Sequence, residues 1–211
     1  MVSGGTAASD GGRGRPAADA PAAGGDADEQ RVGARLRELR LASGASQRAL
    51  ADRLGISVSA VSQIERGAMQ PSVGRLIAVV EALGVPLSAV FDTGGAPAEV
   101  ETAVLRAAES APVVLEGGVL FRRLAPRSVD AVDFFESTYP PGSTSTAHRR
   151  FLRHDGFESG TVAHGELTIE FEDETVVLAA GDSITFPCAR PHRMLNRGPA
   201  TAVATWLIVH R

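Results

Sequence analysis

The chain has 211 residues, 44% of them hydrophobic and 22% charged, which is enough material for two compact domains. Its single cysteine, Cys188, excludes an intrachain disulfide and makes a reducing, cytoplasmic location the expectation. No apolar run is long enough to span a bilayer, and the N-terminus lacks the charged start and apolar centre of a signal peptide, so no membrane partner is expected.

The net charge of −4 is unevenly spread: residues 29–91 carry eight arginines against five carboxylates, a net of +3, while residues 92–211 stand at −5. A positive segment joined to a negative one fits nucleic acid for the first and repulsion from phosphate for the second. Residues 1–28 are Gly, Ala, Ser, Asp and Pro with almost nothing to bury, and are expected to be a disordered tail.

From Glu29 the apolar residues Val32, Leu36 and Leu39 recur at helical spacing, predicting a helix to about Ala42. Ser46 caps a second helix over Gln47–Leu54, ended by Gly55, and Ser57 caps a third over Val58–Glu65, stopped by Gly67. Pro71 and Ser72 open a fourth, with Leu76, Ile77, Val80 and Leu83 on its buried side and Gly84 at its end; a short fifth runs from Leu87 to Phe91. Residues 92–101 read as a linker. Beyond it the period becomes alternating, with strands expected at 119–124, 133–139, 159–164, 166–171, 175–178, 183–186, 192–196 and 202–209, and with the segment 102–107 leaning to strand. So many short strands separated by turns indicate an antiparallel sandwich or barrel over 102–211.

Residues 47–67, QRALADRLGISVSAVSQIERG, resemble the helix-turn-helix of the phage-repressor (XRE) family. The small Ala51 sits where two helices cross, Gly55 gives the sharp turn, and Ile56, Val61 and Ile64 face inward. The resemblance implies that the third helix enters the major groove of double-stranded DNA and that Val58, Ser59, Ser62 and Gln63 read base edges. Gln63 has the geometry to pair with adenine, and Val58 to meet a thymine methyl. It further implies phosphate contacts from Gln47 with Ser46, and from Arg66 with the backbone near Met69 and Gln70. Arg40 and Glu65 are implied to form a structural salt bridge.

Two later clusters resemble the two motifs of a small cupin barrel, a double-stranded β-helix of jelly-roll type. They are Pro141-Gly142 with His154-Asp155-Gly156-Phe157-Glu158 and Gly165, then Gly181 to Pro187 with His192 and Asn196. The resemblance implies that His154, Glu158 and His192 converge inside the barrel. Where the common first motif has an earlier histidine this chain has Leu152, so the pocket holds either one divalent transition metal or an organic effector. His148 lies too far upstream by spacing to replace the lost ligand, unless a loop brings it back. His164 is expected to be exposed, His210 to sit at a frayed end, and Cys188 to be a buried inert thiol. Arg190 and Arg193 read as rim arginines or as receivers of an anionic effector.

The combined order implies an all-α reader followed by an all-β cupin sensor: a sequence-specific transcriptional regulator, a ligand-responsive repressor, working as a homodimer on an inverted-repeat operator. The alternatives are a metal-dependent cupin enzyme with an accessory DNA-binding domain, and a protein-binding antitoxin. No catalytic residue is assigned.

Overall fold

The computed structural model describes residues 25–91, 102–126, 131–147 and 150–210. The helical part comprises α1 (Gly25–Ala42), α2 (Gln47–Leu54), α3 (Val58–Glu65), α4 (Val73–Leu83) and a 3₁₀ turn, Leu87–Val90, in place of the expected fifth helix. The start of α1, Gly25, lies four residues before the expected start at Glu29, inside the expected tail. The remainder of that tail, the 92–101 linker and His148 lie outside the described residues.

The hydroxyl oxygens of Ser46 and Ser57 each accept from a backbone N–H three residues on, Ala49 and Ala60, at 3.1 Å. Gly55 and Gly84 end α2 and α4 in the left-handed conformation, at φ 62° and 70°. Sequence spacing alone found these four boundaries because cap and stop chemistry is local.

Gly33 was not singled out by spacing, and its role is tertiary. A Cβ there would lie 2.2 Å from the carbonyl oxygen of Ile64 and 2.9 Å from the amide of Gly67, so α1 can meet the end of α3 only with hydrogen at this position. Gly33→Ala should therefore destabilise the fold by about 1–3 kcal/mol despite the better helix propensity of alanine; a thermal melt equal to or above wild type would refute the close-approach argument.

Among the described residues the β part has nine strands: β1 (Val113–Val114), β2 (Leu120–Arg123), β3 (Val132–Tyr139), β4 (Phe157–His164), β5 (Glu166–Phe171), β6 (Thr175–Ala179), β7 (Ser183–Pro187), β8 (His192–Leu195) and β9 (Ala202–Val209). They form an antiparallel six-stranded sheet in the order β1-β2-β3-β9-β4-β7 and a three-stranded sheet in the order β6-β5-β8. Inward side chains alternate, as in β9, where Ala202, Ala204, Trp206 and Ile208 are buried. Trp206 donates to the Ser137 hydroxyl at 2.8 Å and crosses over Gly160, where a Cβ would meet its ring at 2.2 Å.

The lean to strand for residues 102–107 is not borne out. Val104 is 62% exposed, and the segment runs into a 3₁₀ turn, Ala107–Glu109, whose Glu109 carboxylate accepts from the Arg106 amide. An apolar residue with no sheet to cover gains nothing from alternation. The two-residue β1 was not foreseen, being too short to show a period.

The helices and the sheets share one core. Phe91 packs against Phe135 and Phe121 at ring-centroid distances of 5.4 and 6.2 Å. The amide of Gly74 donates to the carbonyl of Ser145 at 2.9 Å, that of Glu116 to Pro71 at 3.1 Å, and that of Ser88 to the buried carboxylate of Asp133 at 3.2 Å. These bonds tie α4 and the 3₁₀ turn to the mouth of the barrel.

Candidate DNA-reading helix and barrel site

Helix α3 is held from behind. Val61, Ile64 and Glu65 are buried, and the Arg40 guanidinium donates to both carboxylate oxygens of Glu65, at 2.5 and 3.0 Å. Arg40 also donates to the carbonyl of Ala45, so the pair fixes α1, the entry to α2 and α3 together. Burial alone would raise the Glu65 pKa. The bonds from Arg40 and Gln47 and the arginine charges outweigh it, and the carboxyl stays below its usual value. With its inner face committed, α3 leaves Val58 and Ser59 exposed and Ser62 and Gln63 half-buried.

Not every expected phosphate contact is free. The Gln47 side-chain amide donates to Glu65 at 2.8 Å, and the Met69 amide is already taken by the Gln63 carbonyl. Ser46 caps α2, while Arg66 is exposed with its Nε donating to the Ser62 carbonyl.

In the barrel, the registers Asp133↔Ile208↔Glu158↔Phe186 align four inward side chains in one row across β3, β9, β4 and β7. Glu158 in this row faces His192, which opens β8 in the opposite sheet, and His154, just before β4. All three are buried. His192 Nε2 lies 3.4 Å and His154 Nε2 4.0 Å from the Glu158 carboxylate. Two metal–ligand bonds of about 2.1 Å reach across roughly 4.2 Å, so both spacings fit one shared ion.

The orientation of the imidazoles points the same way. His192 Nδ1 is 2.8 Å from the carbonyl of Arg190 and His154 Nδ1 is 3.2 Å from that of Asp155. A carbonyl can only accept, so each Nδ1 carries the hydrogen and each Nε2 keeps its lone pair for the centre. Burial lowers the His154 pKa, favouring this neutral form, despite the opposing charge of Glu158. The three atoms so aimed, His154 Nε2, Glu158 Oε2 and His192 Nε2, are buried without a hydrogen-bond partner. Three orphaned polar atoms within 4.8 Å of one another leave a strong unmet demand for a shared partner, and two imidazoles with a carboxylate suit a divalent transition metal.

Leu152, which replaces the usual first histidine, does other work. It pairs with His192 through both backbone bonds, and its side chain lies beside Gly74 at the start of α4. Asn196 is buried and ties Tyr139, Gly198 and Ala200 through its amide, a structural role.

Two family profiles match the chain, a helix-turn-helix over residues 36–90 and a cupin domain over residues 135–208. The HTH-type transcriptional regulator PuuR of Escherichia coli K12 is 32% identical over 167 residues, covering 78% of this chain and 86% of that relative. The chain belongs to the helix-turn-helix transcriptional regulators. An uncharacterized HTH-type transcriptional regulator of Sinorhizobium fredii is 46% identical over 52 residues, covering 25% of this chain and 26% of its own. In fold, an HTH_3-family transcriptional regulator from Vibrio cholerae superposes with a TM-score of 0.64 at 20% identity, over 87% of this chain and 97% of that one.

For this helix-turn-helix regulator, some expected residues take other places. His210 is not at a frayed end: its amide donates to Ala131, and its Nε2 is 2.8 Å from Asp133. Arg190 stacks on Phe171 and pairs with Asp173 and Glu174, and Arg193 pairs with Glu170, so both have carboxylates in place of a free anion site. His164 is exposed. Cys188 is fully buried, with its thiol pushed up to about 12 by burial, consistent with an inert group. Asp133 was missed, although alternation with Phe135, Ser137 and Tyr139 already placed an acid on the inward face of β3.

Proposed function

We propose that this regulator is a ligand-responsive repressor that binds an inverted repeat in double-stranded DNA as a cytoplasmic homodimer, with the barrel as its sensor. The observation that carries the reading is the shared core: α3 is braced through Arg40 and Glu65, and α4 is bonded to the barrel mouth at Ser145 and Asp133. An effector at the barrel can then act on the reader, provided that it binds the two arrangements with different affinity.

In this reading Val58, Ser59, Ser62 and Gln63 meet base edges, while Ser46, Gln47 and Arg66 lie along the backbone. For Gln47 to serve, its amide must add a phosphate to its bond with Glu65. His154, Glu158 and His192 hold one divalent metal, which when bound supplies Lewis acidity and open coordination positions for water or effector. The homodimer is supported by the outer face of the large sheet. There Phe134 pairs with Leu207, beside Val209, all more than a third exposed, and a second copy of the chain is the cover proposed for this apolar strip. A two-fold pair would set the reading helices about 34 Å apart on one face of DNA.

Gln63→Ala tests the base-reading assignment. Operator affinity should fall about 10- to 100-fold, the worth of one good base contact, while affinity for unrelated DNA and the salt slope stay near wild type. Equal losses on both DNAs, in fluorescence anisotropy at fixed salt, would remove Gln63 from the reading set.

A further inference from the structure

A groove of about 630 Å³ borders one flank of α3, lined there by Ala60, Ile64 and Gly67 and on the barrel side by Glu116, Gly117 and Ala147. Gln63 stands three residues from Ala60 and four from Gly67, so on a helix it adjoins this flank directly. Arg75, half-buried in the first turn of α4, also lines the groove. A guanidinium has five N–H donors. That of Arg75 makes one long bond, 3.5 Å to the Leu54 carbonyl, and pairs with no carboxylate among the described residues. Burial first, and then the charge of Arg150, depress the Arg75 pKa, with Glu116 opposing them. Arg150 follows Ala147 by three residues. Its amide donates to the Ala147 carbonyl at 3.2 Å and its carbonyl accepts from the Thr146 hydroxyl at 2.6 Å, which fixes its backbone, while its guanidinium has no carboxylate partner among the described residues. Two arginines are thus held close together against one exposed carboxylate, Glu116, and leave positive charge in excess beside the reading helix.

We propose that this groove is a backbone-phosphate clamp, in which Arg75 of α4 and Arg150 of the barrel hold one strand of the DNA that α3 reads. A helix lying in the major groove has a sugar–phosphate strand along each side of it, so the flank adjoining Gln63 is where one strand must run. A guanidinium fork matches phosphate in geometry and in charge, and a half-buried one is less screened by salt than a fully exposed cation. Residues 92–211 are negative as a whole, yet the bond from the Gly74 amide to the Ser145 carbonyl sets this arginine-bearing segment beside the reader. The inference rests on the DNA-reading assignment of α3 and extends it, because the sensor itself touches DNA. It does so through a segment in which Arg150 stands two residues from Leu152, the backbone partner of His192.

The full chain is titrated by fluorescence anisotropy onto a labelled mixed-sequence duplex of about 30 base pairs over a series of sodium chloride concentrations. Arg75→Gln and Arg150→Gln should each lower the slope of log affinity against log salt by about 1 per bound chain, and weaken binding about 3- to 10-fold at fixed salt. Arg75→Lys keeps the charge and should keep most of the slope. Glu116→Gln should bind about 2-fold tighter than wild type, a sign that loss of structure does not produce. Unchanged slopes in both glutamine variants, weaker binding with no change of slope, or a loss of slope in Arg75→Lys equal to that in Arg75→Gln overturns the proposal. Sodium phosphate and sodium citrate, titrated calorimetrically into the chain without DNA, distinguish the other source of an anion. Saturable binding that Arg75→Gln abolishes, together with unchanged DNA slopes, overturns the clamp and gives the groove to a free anion. Wild-type binding with no salt dependence would bring down the DNA-reading assignment itself. A steep wild-type slope that neither glutamine variant alters, with operator preference still lost in Gln63→Ala, overturns the clamp alone.

Discussion

Arg40→Ala is expected to lower the thermal midpoint of the whole chain by about 10 °C. Removing one member of a buried ion pair costs about 3–5 kcal/mol, because the other is left charged and out of water, and in a chain of this size each kcal/mol is worth roughly 2–4 °C. Here the stranded partner is Glu65, 5% exposed and retaining only the Gln47 amide of the bonds described above. The double variant Arg40→Met with Glu65→Leu should recover much of the loss, since it leaves no orphan. A wild-type midpoint in Arg40→Ala would mean that the pair does not brace α3.

The pH dependence gives a second check with an opposite sign in the two proteins. In wild type the folded pKa of Glu65 is depressed below 4.5, so its contribution is fully present above that pH and is lost as pH falls through the lower, folded value. Without Arg40, burial dominates and raises the folded pKa. The variant should then gain stability relative to wild type as pH falls from the raised folded value toward 4.5, a window in which the wild-type contribution of Glu65 is constant. Chemical denaturation at pH 7 and pH 5 reads the difference.

Glu158→Gln and His192→Ala are expected to reduce affinity for cobalt(II) or manganese(II) at least 100-fold, more than the 10- to 100-fold typical for residues that only support ligands. Wild type should retain close to one equivalent after gel filtration, by elemental analysis, and cobalt(II) should give the absorption of a low-symmetry nitrogen–oxygen site. Glu158→Gln is the more telling variant because it keeps size and hydrogen bonding while removing the charge. Retention by wild type no greater than by Glu158→Gln would leave the three orphaned atoms to an organic ligand.

Much of the fold was legible because its signals are local. Ser46, Ser57, Gly55 and Gly84 set helix limits by cap chemistry, and alternation located eight of the nine strands. The candidate site was only half legible. Spacing and family resemblance named His154, Glu158 and His192, but not the carbonyls of Asp155 and Arg190 that point their Nε2 atoms inward. Backbone acceptors have no sequence signature.

The helix-turn-helix, the change of period beyond the linker and the loss of a histidine at Leu152 were determined by the sequence itself. Each depends on residue type at fixed spacing along one element. The tertiary structure alone decided that Leu152 would rest beside α4, that Gly33 must be bare for α1 to meet α3, and that Asp133 would hold both Ser88 and His210. It also placed Glu81 of α4 and Asp155, just before β4, on the lining of one cavity. These relations join residues 45 to 78 positions apart, or packing between separate elements, and so depend on where whole helices and sheets come to rest.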